Sequence, residues 1–173
     1  FTTQKRLANF ILHLLQAVAW IHEKGVMHLD IKPANIMVTP DYRRGVLIDF
    51  GLARTTADNP YTGVFGTEGY QPPEFWNGEE EDFAFDIFSL GATFYELLYG
   101  KEAVQVDPGT KALGNKYHKE KTNLAEKEYR MAMLRRTNRV EIPPRCPCQF
   151  DYVISFDIHA LVMLMLHIDK RKR

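Results

Sequence analysis

The stretch His28-Leu29-Asp30-Ile31-Lys32-Pro33-Ala34-Asn35 is followed, fourteen residues after Asn35, by Asp49-Phe50-Gly51. Together they hold two carboxylates, an ammonium and a carboxamide on what read as short loops flanking a hairpin. Pro33 fixes its own backbone and discourages a helix, so an irregular loop carries these side chains. Hard oxygen donors such as Asp49 and Asn35 suit Mg²⁺, which takes one or two carboxylates and completes its shell with phosphate oxygens and water. Asp30 is then free to accept a proton or orient a hydroxyl, and Lys32 to neutralise charge on a transferring group. A base, a cation and a metal site together describe phosphoryl transfer.

The elements that must position these groups are legible from periodicity. Leu7, Phe10, Ile11, Leu14, Leu15, Val18 and Ile21 recur at three- and four-residue steps. They predict an amphipathic helix of about 20 residues, with Thr2 or Thr3 as N-cap and Gly25 as its stop. Three β-prone runs follow, Val26 to His28, Ile36 to Val38 and Val46 to Ile48, the last two reading as a hairpin. Gly51 to Pro73 shows no sustained period and reads as one long loop, a length that in a compact domain is usually functional. Asp82 to Tyr99 predicts a second helix, apolar on most sides and hence central, stopped by Gly100. Leu124 to Arg136 predicts a basic helix, and Phe156 to His167 a last one.

Composition bounds the alternatives. With 173 residues, 45% hydrophobic and 25% charged, the chain fits one globular domain or a large piece of one. Its 22 basic and 22 acidic residues cancel, which argues against a nucleic-acid coat or an acidic-membrane binder. The neutral sum hides an acidic run, Glu79 to Asp82, and a basic segment, 111–139, with nine Lys/Arg against three Glu. That segment is either a solvated helical face or a docking surface for a partner. The longest apolar run, Ala160 to Leu166, is far too short to span a membrane. Cys146 and Cys148 read as free thiols, which suits an intracellular site, cytoplasmic or nuclear. The remaining histidines show no metal-ligand spacing, and Met131, Met133, Met163 and Met165 read as core fillers.

The loop His28 to Asn35 resembles the catalytic loop of protein kinases, and Asp49-Phe50-Gly51 the family's metal-binding D-F-G. Three further stretches resemble kinase motifs in family order. Gly66 to Glu74 is similar to the end of an activation segment, with Pro72 where the A-P-E motif has Ala. Asp86 to Gly91 is similar to the start of the buried helix anchoring the catalytic loop. Asp169 to Arg173 is similar to the D-P-x-x-R stretch. The resemblance implies a mainly α fold with a small β-hairpin, the α+β C-terminal lobe of a protein kinase. It also implies a serine/threonine kinase using ATP and Mg²⁺ on a protein substrate. Asp30 would be the catalytic base, Lys32 the phosphate-neutralising cation, Asn35 and Asp49 the metal ligands, and Thr67 a neighbour of the substrate hydroxyl. His28 would join a hydrophobic spine, Gly51 complete the D-F-G turn, Asp86 hold the catalytic-loop backbone, and Glu74 pair with Arg173.

Two departures matter. Leu29 stands where the family's loop usually has Arg, the docking cation for an activation-loop phosphate. Thr55, Thr56, Tyr61 and Thr62 are therefore not expected to be an obligatory on-switch. Within the 173 residues there is no G-x-G-x-x-G and no V-A-I-K-like strand; Gly63, Gly66 and Gly69 belong to the activation segment. The expectation is a partial kinase domain spanning 1–173 without the nucleotide-covering lobe, inactive by itself. The alternative is a pseudokinase or partner-dependent interaction module.

Overall fold

A computed structural model describes residues 2–41, 44–140 and 156–173. Helix α1 (Thr2–Glu23) leads into strand β1 (Val26–Met27), and a single turn of 3₁₀ helix (Pro33–Asn35) precedes β2 (Ile36–Val38), which pairs antiparallel with β3 (Gly45–Leu47). After β4 (Arg54–Thr55) come the short α2 (Pro73–Trp76), α3 (Phe83–Tyr99), α4 (Pro108–Glu120), α5 (Asn123–Thr137) and α6 (Phe156–Met165). The architecture is mostly helical with two small antiparallel pairs, β2 with β3 and β1 with β4. No helix among the described residues is long and apolar enough to cross a membrane.

The core forms where the periodicity places it. Ile11, Leu14, Val18 and Ile21 are the buried stripe of α1. They meet Leu47 of β3 and the central helix α3, whose Phe88, Leu90 and Phe94 are at most 1% exposed. Asp82 caps α3 by accepting from the Ala84 N–H at 2.8 Å, and Gly100 ends it at φ 68°. A Cβ on Gly91 would lie 2.7 Å from the Met165 Cβ, so only glycine lets α6 pack this closely on α3. Truncating a ring such as Phe88 here would cost about 3–5 kcal/mol.

The structure corrects several expectations. Thr2 and Thr3 lie inside α1 rather than capping it. The stretch after Gly51 is not all loop, because Arg54–Thr55 pairs with Val26–Met27 and ties the segment to the end of α1. Helix α4 arises from a polar sequence, started by Asp107, which accepts from the N–H groups of Gly109 and Thr110. Helix α5 is no merely solvated face: Ala125, Tyr129, Met133 and Thr137 are buried at four-residue steps. Met133 and Met165 are core, whereas Met131 is 49% exposed. Cys146 and Cys148 fall outside the described residues.

Candidate active site

A buried carboxylate fixes the loop that carries Asp30. Asp86, in the first turn of α3 and fully buried, accepts from the N–H of His28 and of Leu29, each at 2.8 Å. Its Oδ2 also meets His22 Nε2 at 2.8 Å. Buried backbone donors need such partners, and here one carboxylate satisfies two in succession. Leu29 takes φ 62°, a left-handed conformation that costs a non-glycine residue roughly 1–2 kcal/mol. Burial offsets that strain. The Leu29 side chain is 1% exposed, in a second apolar cluster with Met27, Phe75, Trp76, Phe85, Tyr129 and Met133.

His28 is also fully buried, its ring 4.7 Å from that of Phe50. Its Nδ1 accepts from the Asp30 N–H at 3.4 Å while Nε2 lies 3.1 Å from the Ile48 carbonyl. A carbonyl only accepts, so this pattern requires the Nε2–H tautomer.

Asp30 emerges from this base into a closed triangle. Thr67 Oγ1 donates to Asp30 Oδ1 at 2.7 Å, and Lys32 Nζ donates to Thr67 Oγ1 at 2.7 Å. Lys32 Nζ also pairs with Asp30 Oδ2 at 2.8 Å. Asn35 Nδ2 donates to the Asp30 carbonyl at 2.9 Å and to its Oδ2 at 3.0 Å. Both carboxylate oxygens are therefore held. The approach of Thr67 depends on Gly66 (φ 75°), whose absent Cβ would sit 3.3 Å from the Leu29 carbonyl.

The residues suited to a metal lie beside this triangle. Asn35 is 5% exposed and uses its NH₂ on Asp30, which leaves the amide oxygen as its remaining donor atom. Asp49 is exposed at φ 60°, with Oδ1 accepting from the Gly51 N–H at 3.2 Å. The Ile48 N–H donates to the Asn35 carbonyl at 3.0 Å, so the two oxygen donors stand on paired strand ends. Among the described residues no group of three or more His, Cys, Asp or Glu gathers as a metal cluster. One carboxylate and one amide oxygen beside open solvent is a set that fits Mg²⁺, which keeps phosphate and water ligands, better than a metal caged by protein.

Beneath the site, Glu74 of α2 and Arg173 form a bidentate pair, with Nη2 to Oε2 at 2.8 Å and Nη1 against Oε1. The Arg173 side chain is fully buried and also donates from Nε to the His167 carbonyl at 2.7 Å. Helix α5 contributes two supports that sequence reasoning missed. Tyr129 donates to Glu68, next to Thr67, and its hydroxyl is pushed above the usual tyrosine range first by burial and then by that bond. Arg130 donates to the carbonyls of Phe75 (2.6 Å) and Gly63 (2.8 Å). Lys116 pairs with Glu128 and Arg136 with Asp107, so part of the charge of segment 111–139 serves the fold itself. His22 was missed as well. Its only sequence signal is its place one turn before the Gly25 stop, six residues from His28.

Comparison with known proteins gives the family and the fold. The protein kinase domain family model matches residues 1–173. The chain is 40% identical over 104 residues to the serine/threonine-protein kinase PknB of Mycobacterium tuberculosis, covering 57% of this chain and 16% of that one. It is likewise 40% identical over 93 residues to the serine/threonine-protein kinase AtPK1/AtPK6 of Arabidopsis thaliana, covering 53% of this chain and 20% of that one. The matched stretches are thus a fifth or less of those relatives. In structure it is similar to the Cydia pomonella granulovirus kinase PK-1, with a TM-score of 0.65 at 21% identity, over 94% of this chain and 51% of that one. A family model matching along the whole length, on a fold shared with a kinase, leads to one conclusion: the chain belongs to the protein kinase family.

Proposed function

We propose that this chain is the catalytic part of a serine/threonine protein kinase, which moves the γ-phosphoryl group of ATP to a protein hydroxyl. One observation carries the reading: the Asp30 carboxylate is held between the Lys32 ammonium and the Thr67 hydroxyl, both at hydrogen-bond distance. In this reading the Thr67 hydroxyl marks where a substrate hydroxyl is received, close enough to Asp30 for its proton to be taken. Lys32 offsets negative charge on the group in transit, and Asp86 keeps the loop from drifting.

Asn35 and Asp49 would hold Mg²⁺, which when bound offsets charge on the nucleotide phosphates. Lys32, two positions after Asp30, is the family feature that favours serine and threonine over tyrosine. A need for ATP would suit an intracellular protein. Within these 173 residues there is no G-x-G-x-x-G to cover the nucleotide phosphates, so this stretch alone turns over little or no ATP.

The test is transfer of labelled γ-phosphate from MgATP by the full-length protein to a degenerate peptide mixture, followed by phosphoamino-acid analysis. Label on serine or threonine supports the reading. Label on tyrosine alone, or none with ATP bound, contradicts it.

A further inference from the structure

For Thr67 to reach Asp30, the segment between Asp49 and Thr67 must keep one path. In the loop beneath it, Leu29 is apolar and buried, and the one cation, Lys32, is committed to Asp30 and Thr67. The segment supplies its own. The Arg54 guanidinium carbon lies 4.1 Å from the centroid of the Tyr61 ring, well inside cation–π range. Its Nη1 is buried with no hydrogen-bond partner, and the Tyr61 ring face is the contact that the guanidinium makes within the segment. Nearby Asp58 is turned to other donors, accepting from the Thr55 N–H at 2.7 Å and the Thr55 hydroxyl at 3.0 Å.

Tyr61 passes the restraint inward. Its hydroxyl donates to the Leu52 carbonyl at 3.4 Å, and its ring lies 4.6 Å from Phe65. Phe65 packs in turn on Phe75 (4.8 Å) and on Phe85 of α3 (6.0 Å). A row of rings thus runs from β4 to the core, ending just before Gly66 and Thr67. The surroundings disfavour a phosphate as an alternative clamp. Arg54, Thr55 and Thr56 line a cleft of about 260 Å³ together with Asp58, Glu80, Glu81 and Asp82. Four carboxylates there outnumber the one Arg54 cation, so a phosphate on either threonine would meet net repulsion.

We propose that Arg54 and Tyr61 are positioning residues, a built-in latch that keeps residues 54–67 in the path that sets Thr67 on Asp30, with no phosphate on the segment. The inference rests on the kinase reading above for its activity consequences.

It is tested in the full-length protein with Arg54→Gln, Tyr61→Leu, the two combined, and Tyr61→Phe. The readouts are kcat/KM toward a degenerate serine-centred peptide mixture, KM for ATP, and hydrogen exchange across 56–65. Arg54→Gln and Tyr61→Leu should each lower peptide kcat/KM by about tenfold, near the upper range of one cation–π contact. The double variant should fall no further than the worse single one, since both remove the same contact. Tyr61→Phe, which keeps the ring, should stay within about twofold of wild type. KM for ATP should not move, and exchange across 56–65 should quicken in both single variants.

Single variants that match wild type overturn the latch. So does a Tyr61→Phe variant as poor as Tyr61→Leu, or a loss that phosphorylation of Thr55 or Thr56 restores. A wild-type protein that transfers no phosphate overturns the kinase reading separately. Exchange then still judges the latch, which falls if Arg54→Gln leaves it unchanged.

Discussion

Asp86 has two oxygens and three donors around it, two of them the backbone N–H groups of His28 and Leu29. Asp86→Asn turns one oxygen into an NH₂ that faces a donor, leaving a buried N–H unpaired. Such a loss costs about 1–3 kcal/mol, and chemical denaturation of the full-length protein should show it as a lowered midpoint at constant slope. An unchanged midpoint would mean that the loop is held elsewhere. Thr67→Val removes the donor to Asp30 and the acceptor of Lys32 while keeping side-chain shape. Its expected signature is a raised KM for peptide with KM for ATP unchanged; equal effects on both would contradict a place at the peptide side.

At this scale the sequence was most informative. Asp30, Lys32, Asn35 and Asp49 were legible because a proline-stiffened loop and a D-F-G turn are local patterns. His22 and the positive φ of Leu29 were not, since both depend on where α3 places Asp86, more than fifty residues later.

Among the elements, the Glu74–Arg173 pair joins α2 to the turn after α6. Arg173 is fully buried, so Arg173→Met leaves Glu74 charged and alone, at a cost of about 3–5 kcal/mol. Glu74→Leu combined with Arg173→Met should recover much of that loss in a denaturation cycle; a double variant as weak as the sum of the singles would contradict a coupled pair.

Acid should act near the same turn. Asp169 sits at about 2, lowered first by the Arg171 side chain and then by the Arg171 N–H. A lowered carboxyl lends stability above its unfolded value, roughly 3.9, and loses it as pH falls toward 2. Carboxyl NMR should find Asp169 titrating well below that unfolded value, and a midpoint near 4 would contradict the Arg171 contact.

Helices α1 and α3 were readable because α1 has a long apolar period, α3 is apolar on most sides, and a glycine follows each. Strand β4 was not, because two residues, Arg54 and Thr55, carry no period and owe their pairing to β1. Helix α4 hid behind its polar sequence and two internal glycines, whereas α5 was legible as a basic helix and only its buried face was hidden by its charge. The bonds of Tyr129 to Glu68 and of Arg130 to the Gly63 carbonyl reveal α5 as a support for the segment carrying Thr67.

Across the whole molecule, the neutral charge balance conceals local use of charge. Lys170 pairs with Glu79 and Asp82, which ties the acidic run to the basic end of the chain. The face bearing Asp49 and Phe50 is open, and an open, wet site positions a nucleotide poorly. The 173-residue stretch alone should therefore show no turnover near the range of about 1–100 per second typical of kinases. Turnover in that range would mean that these 173 residues suffice.

The central claim is that Asp30 is the base of a phosphoryl transfer, and replacing it in the full-length protein tests that most directly. Asp30→Asn keeps the side-chain shape and removes the proton acceptor. Transfer from MgATP to the peptide mixture should fall by about 10²–10⁴-fold, while ATP affinity, read by calorimetry, stays at the wild-type value. An Asp30→Asn protein that transfers phosphate at the wild-type rate would contradict the account.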